Sequence, residues 1–499
     1  MEKSPLLRRL SELAHERADH PAICDDRERV SFAELSERVE RVASELVRRG
    51  LSGHRVAMLV TQGSRWVESF LGIIAADATA VPLSHLHPEA EQAWFVEVSH
   101  ARALVVSEET AAAVAVYAGT LPVLRIEELR VGPRARLLAD TRAEDVAVIL
   151  YTSGTTGKPK GALISQGNLE SIARMLGSAW QWSADDVLLH CLPLHHLHGL
   201  GIALLTALLA GSTTRMLEKF DGPRMWEEMA RASVLMGVPT MHKKLLDTFD
   251  AADGATRARW AEHAARLRLV TSGSAALPTS VGERWQKLTG RYPLERFGMT
   301  EIGVGSTNPV EGQRVPGSCG PALPGMQIRI VREDGGDVAP GEAGEIWIRG
   351  PSVFLGYDEN PEATREAFSD GWFKSGDTAM FLDGAYVKIM GRTSVDILKS
   401  GGYKLSALEI EEVLREHPSV ADVAVVGLPD ETWGEVAVAA VIARPGAAES
   451  LAGEALRDWA KQRIASYKVP KRVVLLDDFP RNPVGKVVKP ELAKVLGSS

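Results

Sequence analysis

Tyr151-Thr152-Ser153-Gly154-Thr155-Thr156-Gly157-Lys158-Pro159-Lys160-Gly161 follows the continuous apolar run Val146-Ala147-Val148-Ile149-Leu150. That run has the length of a buried strand. The segment after it gathers Ser/Thr hydroxyls, three glycines and two lysines. Glycines let the backbone approach a ligand and turn successive N–H groups inward. Hydroxyls add donors, and lysine adds positive charge, which together make the chemistry of a polyphosphate cradle. It is not the usual P-loop, because two residues separate Gly154 from Gly157 and Pro159 follows Lys158. Taken alone, the segment reads as well as a flexible surface turn.

Strands and helices alternate outward from this point. Upstream, Ser31 and Glu34 form a capping box, and Leu35, Val39, Val42, Leu46 and Val47 follow on one helical face. Strand patterns recur at Arg55–Val60 and Ala80–Leu83, with a helix through Phe70–Ile74 between them. Downstream the alternation resumes at Asp186–Leu189 and Leu267–Val270. Short connections between alternating elements predict an α/β fold with doubly wound, parallel sheets. From about Pro316 the runs become short and alternating, as in Met326–Ile330 and Glu345–Ile348, which predicts a small β-rich subdomain over about 316–391. Past Gly391 the pattern is a compact α+β unit. Ser406 and Glu409 open a helix through Ile410, Val413 and Leu414, followed by strands Val420–Val426 and Val436–Ile442 and a helix around Leu451–Ile464. The expected division is therefore a large domain over 1–391 and a small one over 392–499.

With 499 residues, 45% of them hydrophobic, the chain can build several cores. Net charge is −8 with both signs interspersed, which argues against nucleic-acid binding. The three cysteines are far apart and lack metal-type spacing, so they read as thiols in a reducing compartment. No apolar run has membrane-spanning length, and Met1–His20 has the pattern of a helix interrupted by acids rather than of a leader. A cytoplasmic location without membrane attachment is expected; oligomeric state is left open.

Three further clusters bear on the glycine-rich loop. In Arg296-Phe297-Gly298-Met299-Thr300-Glu301 the acid suits a divalent cation between carboxylate and triphosphate, and Thr300 suits a phosphate donor. An isolated Glu on a loop is more often simply solvated. Trp372–Asp377 places an acid after Gly376, at an expected turn, where Asp377 could accept two ribose hydroxyls. Near the C-terminus comes Arg481-Asn482-Pro483-Val484-Gly485-Lys486, whose lysine would be unremarked by itself.

In this order and spacing the clusters resemble the adenylate-forming superfamily of acyl-CoA synthetases, peptide-synthetase adenylation domains and luciferases. From about Pro193 the chain looks most like malonyl-CoA synthetases, including the animal mitochondrial type, in Pro193–Gly199, Val238-Pro239-Thr240, Ser272–Leu277 and Gly391–Lys404. The resemblance implies an acid–CoA ligase that uses ATP, Mg²⁺ and CoA. A carboxylate attacks the α-phosphorus to give acyl-adenylate and diphosphate, and the CoA thiol then displaces AMP. It implies ATP contacts from Thr152, Ser153, Gly154, Thr155, Thr156, Gly157, Lys158, Ser274, Ala275, Ala276, Arg296, Phe297, Gly298, Met299, Thr300, Asp377, Arg392 and Lys486. Glu301 and Thr152 would serve the metal, and Lys486 the α-phosphate oxygens. Ser400, Gly401, Gly402, Tyr403 and Lys404 would reach CoA after the small domain swings about Ser394. Relatives carry Asp or Lys at that pivot, and a His where this chain has Gln166, so no role of that His transfers.

Malonate keeps a second carboxylate that must enter the acyl pocket unreacted, and an unpaired carboxylate in an apolar pocket requires a cation. The resemblance points to Lys244 for it, with His196, Leu197, Ser272 and Met299 completing the acyl pocket and His196 as a catalytic candidate. From periodicity alone, Lys244 reads as a solvated lysine on an amphipathic helix whose core side carries Leu245 and Leu246. The competing functions are a short- or medium-chain or aromatic monocarboxylate–CoA ligase, an adenylation enzyme serving a carrier protein, and a non-catalytic nucleotide-binding protein.

Overall fold

The structure is a computed structural model. It describes residues 4–115, 118–119, 121–134, 141–152, 159–339, 341–400, 403–430, 432–451, 454–481 and 487–497, without the side chains of residues 384, 403, 404, 449 and 450. Among these residues the alternating N-terminal pattern resolves into two sheets.

The first sheet has seven strands, in the order Gly356–Tyr357, Lys160–Ser165, Val146–Thr152, Thr79–Pro82, Arg55–Leu59, Ala103–Val106 and Val123–Arg125. From Val146–Thr152 outward to Val123–Arg125 every pairing is parallel, as helical crossovers require. Lys160–Ser165 folds back antiparallel on Val146–Thr152, so the glycine-rich segment joins the ends of a hairpin. Helix Phe32–Arg48 opens with the expected capping box, Ser31 Oγ accepting from Glu34 N–H and Glu34 Oε2 from Ser31 N–H. Its Leu35, Val39, Val42 and Leu46 are buried. It crosses helix Ser64–Ala75 so closely at Gly72 that a Cβ there would lie 2.4 Å from Val42 Cγ1.

The second sheet has eight strands, in the order Gly303–Thr307, Leu294–Met299, Leu269–Ser272, Val234–Gly237, Val187–His190, Thr213–Met216, Pro21–Cys24 and Arg29–Ser31. Its middle strands are parallel, and an antiparallel strand closes each edge. The edge hairpin Pro21–Ser31 comes from far upstream, so this sheet is assembled from two distant parts of the chain.

The β-rich subdomain is antiparallel and built on Gln327–Val331, Gly344–Arg349 and Trp372–Leu382, with Phe368–Ser369 and Tyr386–Arg392 added. Ser375-Gly376-Asp377 is not the turn expected from its residue types. It lies inside Trp372–Leu382, where pairing passes from Glu345↔Thr378 to Trp347↔Lys374 and leaves Ile346 opposite three residues. The strand bulges there, and Gly376 takes the left-handed φ of 72° that the bulge needs.

In the small C-terminal domain, the hairpin Val420–Asp430 and Gly434–Ala443 carries alternating apolar faces. Val423 and Val425 pack with Ile410 and Leu414 of helix Ala407–Arg415, while Ala424 and Val426 pack with Leu492 and Leu496 of helix Lys489–Gly497. Among the described residues of the predicted helix around Leu451–Ile464, Ala455–Lys461 is α-helical. One contact reaches the large domain at a helix start. Helix Thr279–Thr289 follows Pro278 without a side-chain cap of its own, and Glu412 Oε1 accepts from Thr279 N–H at 2.7 Å. No helix among the described residues is long and apolar enough to cross a membrane.

Candidate active site

Four neighbouring parallel strands of the second sheet run side by side; three end at His190, Gly237 and Ser272, and Arg296 lies within the fourth, one residue past the Glu295 that pairs with Ser272. Crevices outside such strand ends are where open α/β sheets bind ligands. Helix Pro239–Ala251 starts just beyond Gly237, and the eight-residue π-helical segment His198–Leu205 lies close to the end of Val187–His190. π-Helical turns recur at functional sites because they re-aim side chains.

Arg296 is the central feature of this crevice. It is only 4% exposed, and its Nε and Nη2 have no hydrogen-bond partner among the described residues. The guanidinium lies against Gly273, where a Cβ would come within 2.4 Å of Cζ, so a side chain at 273 would displace it. Burial pulls its pKa down, to about 10, which still leaves it charged at neutral pH. A buried cation without a partner costs several kcal/mol. That cost is recovered when an anion enters.

Neutral histidines surround it. His242 is fully buried; its Nε2 lies 3.0 Å from the carbonyl of Thr271, so Nε2 carries the hydrogen, and Nδ1 has no partner among the described residues. Burial lowers its pKa to about 4. His198 Nδ1 lies 3.2 Å from Ser274 Oγ, and desolvation, with the Arg296 charge behind it, holds its pKa well below the ordinary value. His190 is buried, with both ring nitrogens unpartnered among the described residues, and so is Ser272, with its Oγ unpartnered among them. Ser274 takes a left-handed φ of 70°, a strained conformation for a residue with a side chain.

His196 opens onto solvent beside this group, and its ring centroid lies 4.2 Å from that of His195, the two rings tilted by 50°. Leu197 is buried and Met299 half-buried. Lys244 is placed differently from the other expected acyl-pocket residues. It is exposed, with Nζ 6.0 Å from the Phe220 ring centroid. Among the described residues no hydrogen bond or ion pair joins it to His196, Ser272 or Met299. His242, two residues earlier, faces inward instead. The stripe His242, Leu245, Leu246, Phe249 at helical spacing could have shown this from sequence.

Of the expected nucleotide-binding residues, Glu301 joins the hairpin that ends the second sheet to the edge of the first. Glu301 is 5% exposed; Oε1 accepts from Tyr357 O–H at 3.0 Å, and the backbone carbonyl accepts from Phe354 N–H at 2.8 Å. Burial raises its pKa, against the opposing hydrogen bond from Tyr357 and the charges of Arg392 and Lys160. Tyr357 lies on the edge strand that pairs with Lys160–Ser165, and Lys160 Nζ lies 5.1 Å from the Tyr357 ring centroid. Tyr357 lacks any nearby sequence cue to Glu301. Thr152 ends its strand half-buried, its hydroxyl 3.3 Å from the carbonyl of Lys160. At the bulge, Asp377 pairs with Arg392, Nε to Oδ1 at 3.1 Å, and Arg392 Nη1 donates to the carbonyl of Ser375 at 2.8 Å. Gly298 is needed for hairpin closure, since a Cβ there would lie 2.1 Å from the carbonyl oxygen of Gly303. Phe297 and Thr300 are half-buried, while Ser274, Ala275 and Ala276 are exposed along the loop after Ser272.

Ser400 pairs with Tyr403 across the ends of two antiparallel strands, and Ser394 is exposed between the large and small domains. Ser153, Gly154, Thr155, Thr156, Gly157, Lys158, Gly401, Gly402 and Lys486, together with the side chains of Tyr403 and Lys404, lie outside the described residues. Among the described residues no group of three or more His, Cys, Asp or Glu is arranged to hold a metal.

The AMP-binding enzyme family model matches residues 10–358, and that of the AMP-binding enzyme C-terminal domain matches residues 409–486. The chain belongs to the AMP-binding enzyme family. This AMP-binding enzyme is 40% identical to mouse (Mus musculus) mitochondrial malonate–CoA ligase ACSF3, over 96% of the chain and 89% of that protein. It is 38% identical to malonate–CoA ligase of Arabidopsis thaliana, over 89% of the chain and 78% of that protein. Its fold superposes on ATP-bound MatB from Rhodopseudomonas palustris with a TM-score of 0.89 and 34% identity, covering 99% of both chains. Against apo MatB the TM-score is 0.80.

Proposed function

We propose that this AMP-binding enzyme is a malonate–CoA ligase, which converts malonate, ATP and CoA into malonyl-CoA, AMP and diphosphate through malonyl-adenylate. Similarity to malonate–CoA ligases along nearly the whole chain supports the reaction. The buried, unpartnered guanidinium of Arg296 carries the choice of acid. A monocarboxylate spends its only charge at the reacting end and would leave Arg296 unpaired. Malonate brings a second carboxylate to the place where a charge is missing. This moves Arg296 from the nucleotide-binding set to the acyl pocket, with Ser272, Ser274, His198 and His242 as polar neighbours and Leu197 and Met299 bounding the α-carbon. Lys244, exposed on its helix, then acts at the pocket's approach, drawing in the dianion by longer-range attraction.

In the first half-reaction one malonate oxygen attacks the α-phosphorus, and diphosphate leaves with the bonding electrons. Lys486 neutralises charge growing on the α-phosphate oxygens, and by analogy with an oxyanion donor its loss lowers adenylation about 10²–10³-fold. Asp377, held by Arg392, accepts the ribose hydroxyls. Ser153–Lys158 cradle the phosphates, with Thr152 at the base of the loop. Glu301 and Thr152 offer hard oxygen donors that fit Mg²⁺, which supplies charge neutralisation along the triphosphate when bound. In the second half-reaction the CoA sulfur attacks the acyl carbon, losing its proton, and AMP leaves. His196, open to solvent beside the pocket, is placed to help orient the acyl group. Ser400–Lys404 approach CoA as the small domain, from 392 onward, turns about Ser394. The compartment we read is the cytoplasm.

The test is an acid panel. Wild-type enzyme with MgATP and CoA should prefer malonate over acetate, propionate, butyrate and benzoate, with methylmalonate slower. A monoacid that outperforms malonate by a wide margin contradicts the choice of acid while leaving the ligase chemistry standing.

A further inference from the structure

The hinge segment is tied down on both sides of Ser394. Toward the large domain, Thr393 N–H donates to the carbonyl of Gly376 at 2.9 Å, and the Thr393 and Thr378 hydroxyls meet at 2.9 Å. Toward the small domain the tie is ionic. Lys489 Nζ lies 2.5 Å from Asp396 Oδ1 and 2.7 Å from Glu411 Oε1, and all three side chains are nearly buried. Asp396 also accepts from Arg392 N–H through Oδ2 at 3.0 Å, and Glu411 accepts from Val425 N–H at 2.8 Å. Gly391 is glycine because a Cβ there would lie 2.4 Å from Asp396 Cβ. Burial opposes the Lys489 charge, but Glu411 and Asp396 outweigh it and its pKa lies above the ordinary lysine range.

Lys489 follows Lys486 by three residues. The stems of the intervening segment are pinned as well. Arg481 and Val487 pair as an antiparallel bridge, Val488 N–H donates to the carbonyl of Pro480 at 2.8 Å, and Arg481 Nη2 reaches Asp422 Oδ2 at 2.7 Å. One buried ammonium thus joins the residue two past the pivot to the stem of the segment carrying Lys486. A surface lysine would suffice for solubility, whereas a buried one shared by two carboxylates fixes geometry.

We propose that Lys489, clamped by Asp396 and Glu411, is a positioning residue for Lys486: it ties the hinge strand to Val487–Lys489, the stem that follows Lys486, so that rotation at Ser394–Val395 carries Lys486 to the α-phosphate. The inference rests on the role given to Lys486 above. It does not touch substrate chemistry in the thioester-forming step, where Lys486 has no task.

The experiment measures the two half-reactions separately in the full-length enzyme. Adenylation is read as malonate-dependent ATP–diphosphate exchange, and thioester formation as single-turnover capture of supplied malonyl-AMP by CoA. Asp396→Asn frees the hinge from Lys489 while leaving the Lys489–Glu411 pair, and Lys489→Arg keeps the buried charge but alters its reach. In both variants exchange should fall about tenfold or more while thioester formation stays within about twofold, because small displacements of a catalytic group are costly only in the step that uses it. An equal fall in both half-reactions, or no change in either, overturns the inference. Lys486→Ala in the same assay separates the two claims. If it leaves exchange intact, the role of Lys486 fails. If it abolishes exchange while both other variants exchange normally, only the positioning role of Lys489 fails.

Discussion

Tyr357 O–H donates to Glu301 Oε1 across 3.0 Å, joining the edge of one sheet to the hairpin that ends the other. The carboxylate is buried, so the lost hydrogen bond is not replaced cheaply by water. Tyr357→Phe should cost about 1–3 kcal/mol at this carboxylate. The expected outcome is a rise in the KM for MgATP and roughly five- to hundredfold slower adenylation, read by diphosphate exchange. Thioester formation from supplied malonyl-AMP should be unchanged.

Arg296 and Lys244 can be ranked by the same substitution. Arg296→Met should depress kcat/KM for malonate by about two orders of magnitude or more, the scale for stranding a charged group in a buried site. It should spare or improve propionate, which has no second carboxylate to strand. Lys244→Met should lower malonate use by less than tenfold, and the loss should shrink as salt rises, since an exposed cation acts through a screened field. If Lys244→Met proves the more selective change, the second carboxylate belongs to Lys244.

Ser274 combines a strained backbone with a useful hydroxyl. Ser274→Gly should relieve roughly 1 kcal/mol of left-handed strain and remove the contact to His198. The expected result is a higher melting temperature with several-fold lower malonate turnover. A variant less stable than wild type would show that the left-handed backbone is not where the cost lies.

Glu295 gives a pH dependence of stability. Burial raises its pKa to about 7, opposed by hydrogen bonds from Gly317 and Leu277 N–H and aided by the nearby Glu412 charge. Below the ordinary carboxylate range the group is protonated folded or unfolded. As pH rises toward 7 the unfolded chain ionises first, so the unfolded state binds fewer protons and stability falls; above that range the loss is complete. Glu295→Gln should therefore be neutral near pH 4 and stabilising at pH 8 by up to roughly 3 kcal/mol, measured by denaturant unfolding at each pH.

Much of the architecture is legible in the amino-acid sequence, because period-two and period-3.6 patterns report burial directly. The capping box at Ser31 and the strand entering the glycine-rich loop occur as expected. Relations between distant segments are not legible in this way. Nothing local to Pro21–Ser31 says that it completes the second sheet, since strand partnership there depends on residues near Thr213. Ser-Gly-Asp types favour turns, yet 375–377 form a bulge because flanking β pairing overrides the local preference. Lys244 stands out by its place in a motif, whereas helix phase alone puts it outward and His242 inward. Arg296 stands in a recognised cluster that points to nucleotide, and only burial without a partner among the described residues points it to the acyl pocket instead.

The most direct measurement withholds CoA. Enzyme, MgATP and malonate are quenched after a single turnover, and the products are separated before and after CoA is added. The account predicts malonyl-AMP and diphosphate in equal amounts without CoA, then conversion of the adenylate into equal amounts of malonyl-CoA and AMP. Diphosphate release without malonyl-AMP, or malonyl-CoA appearing with ADP and phosphate instead of AMP, would contradict it.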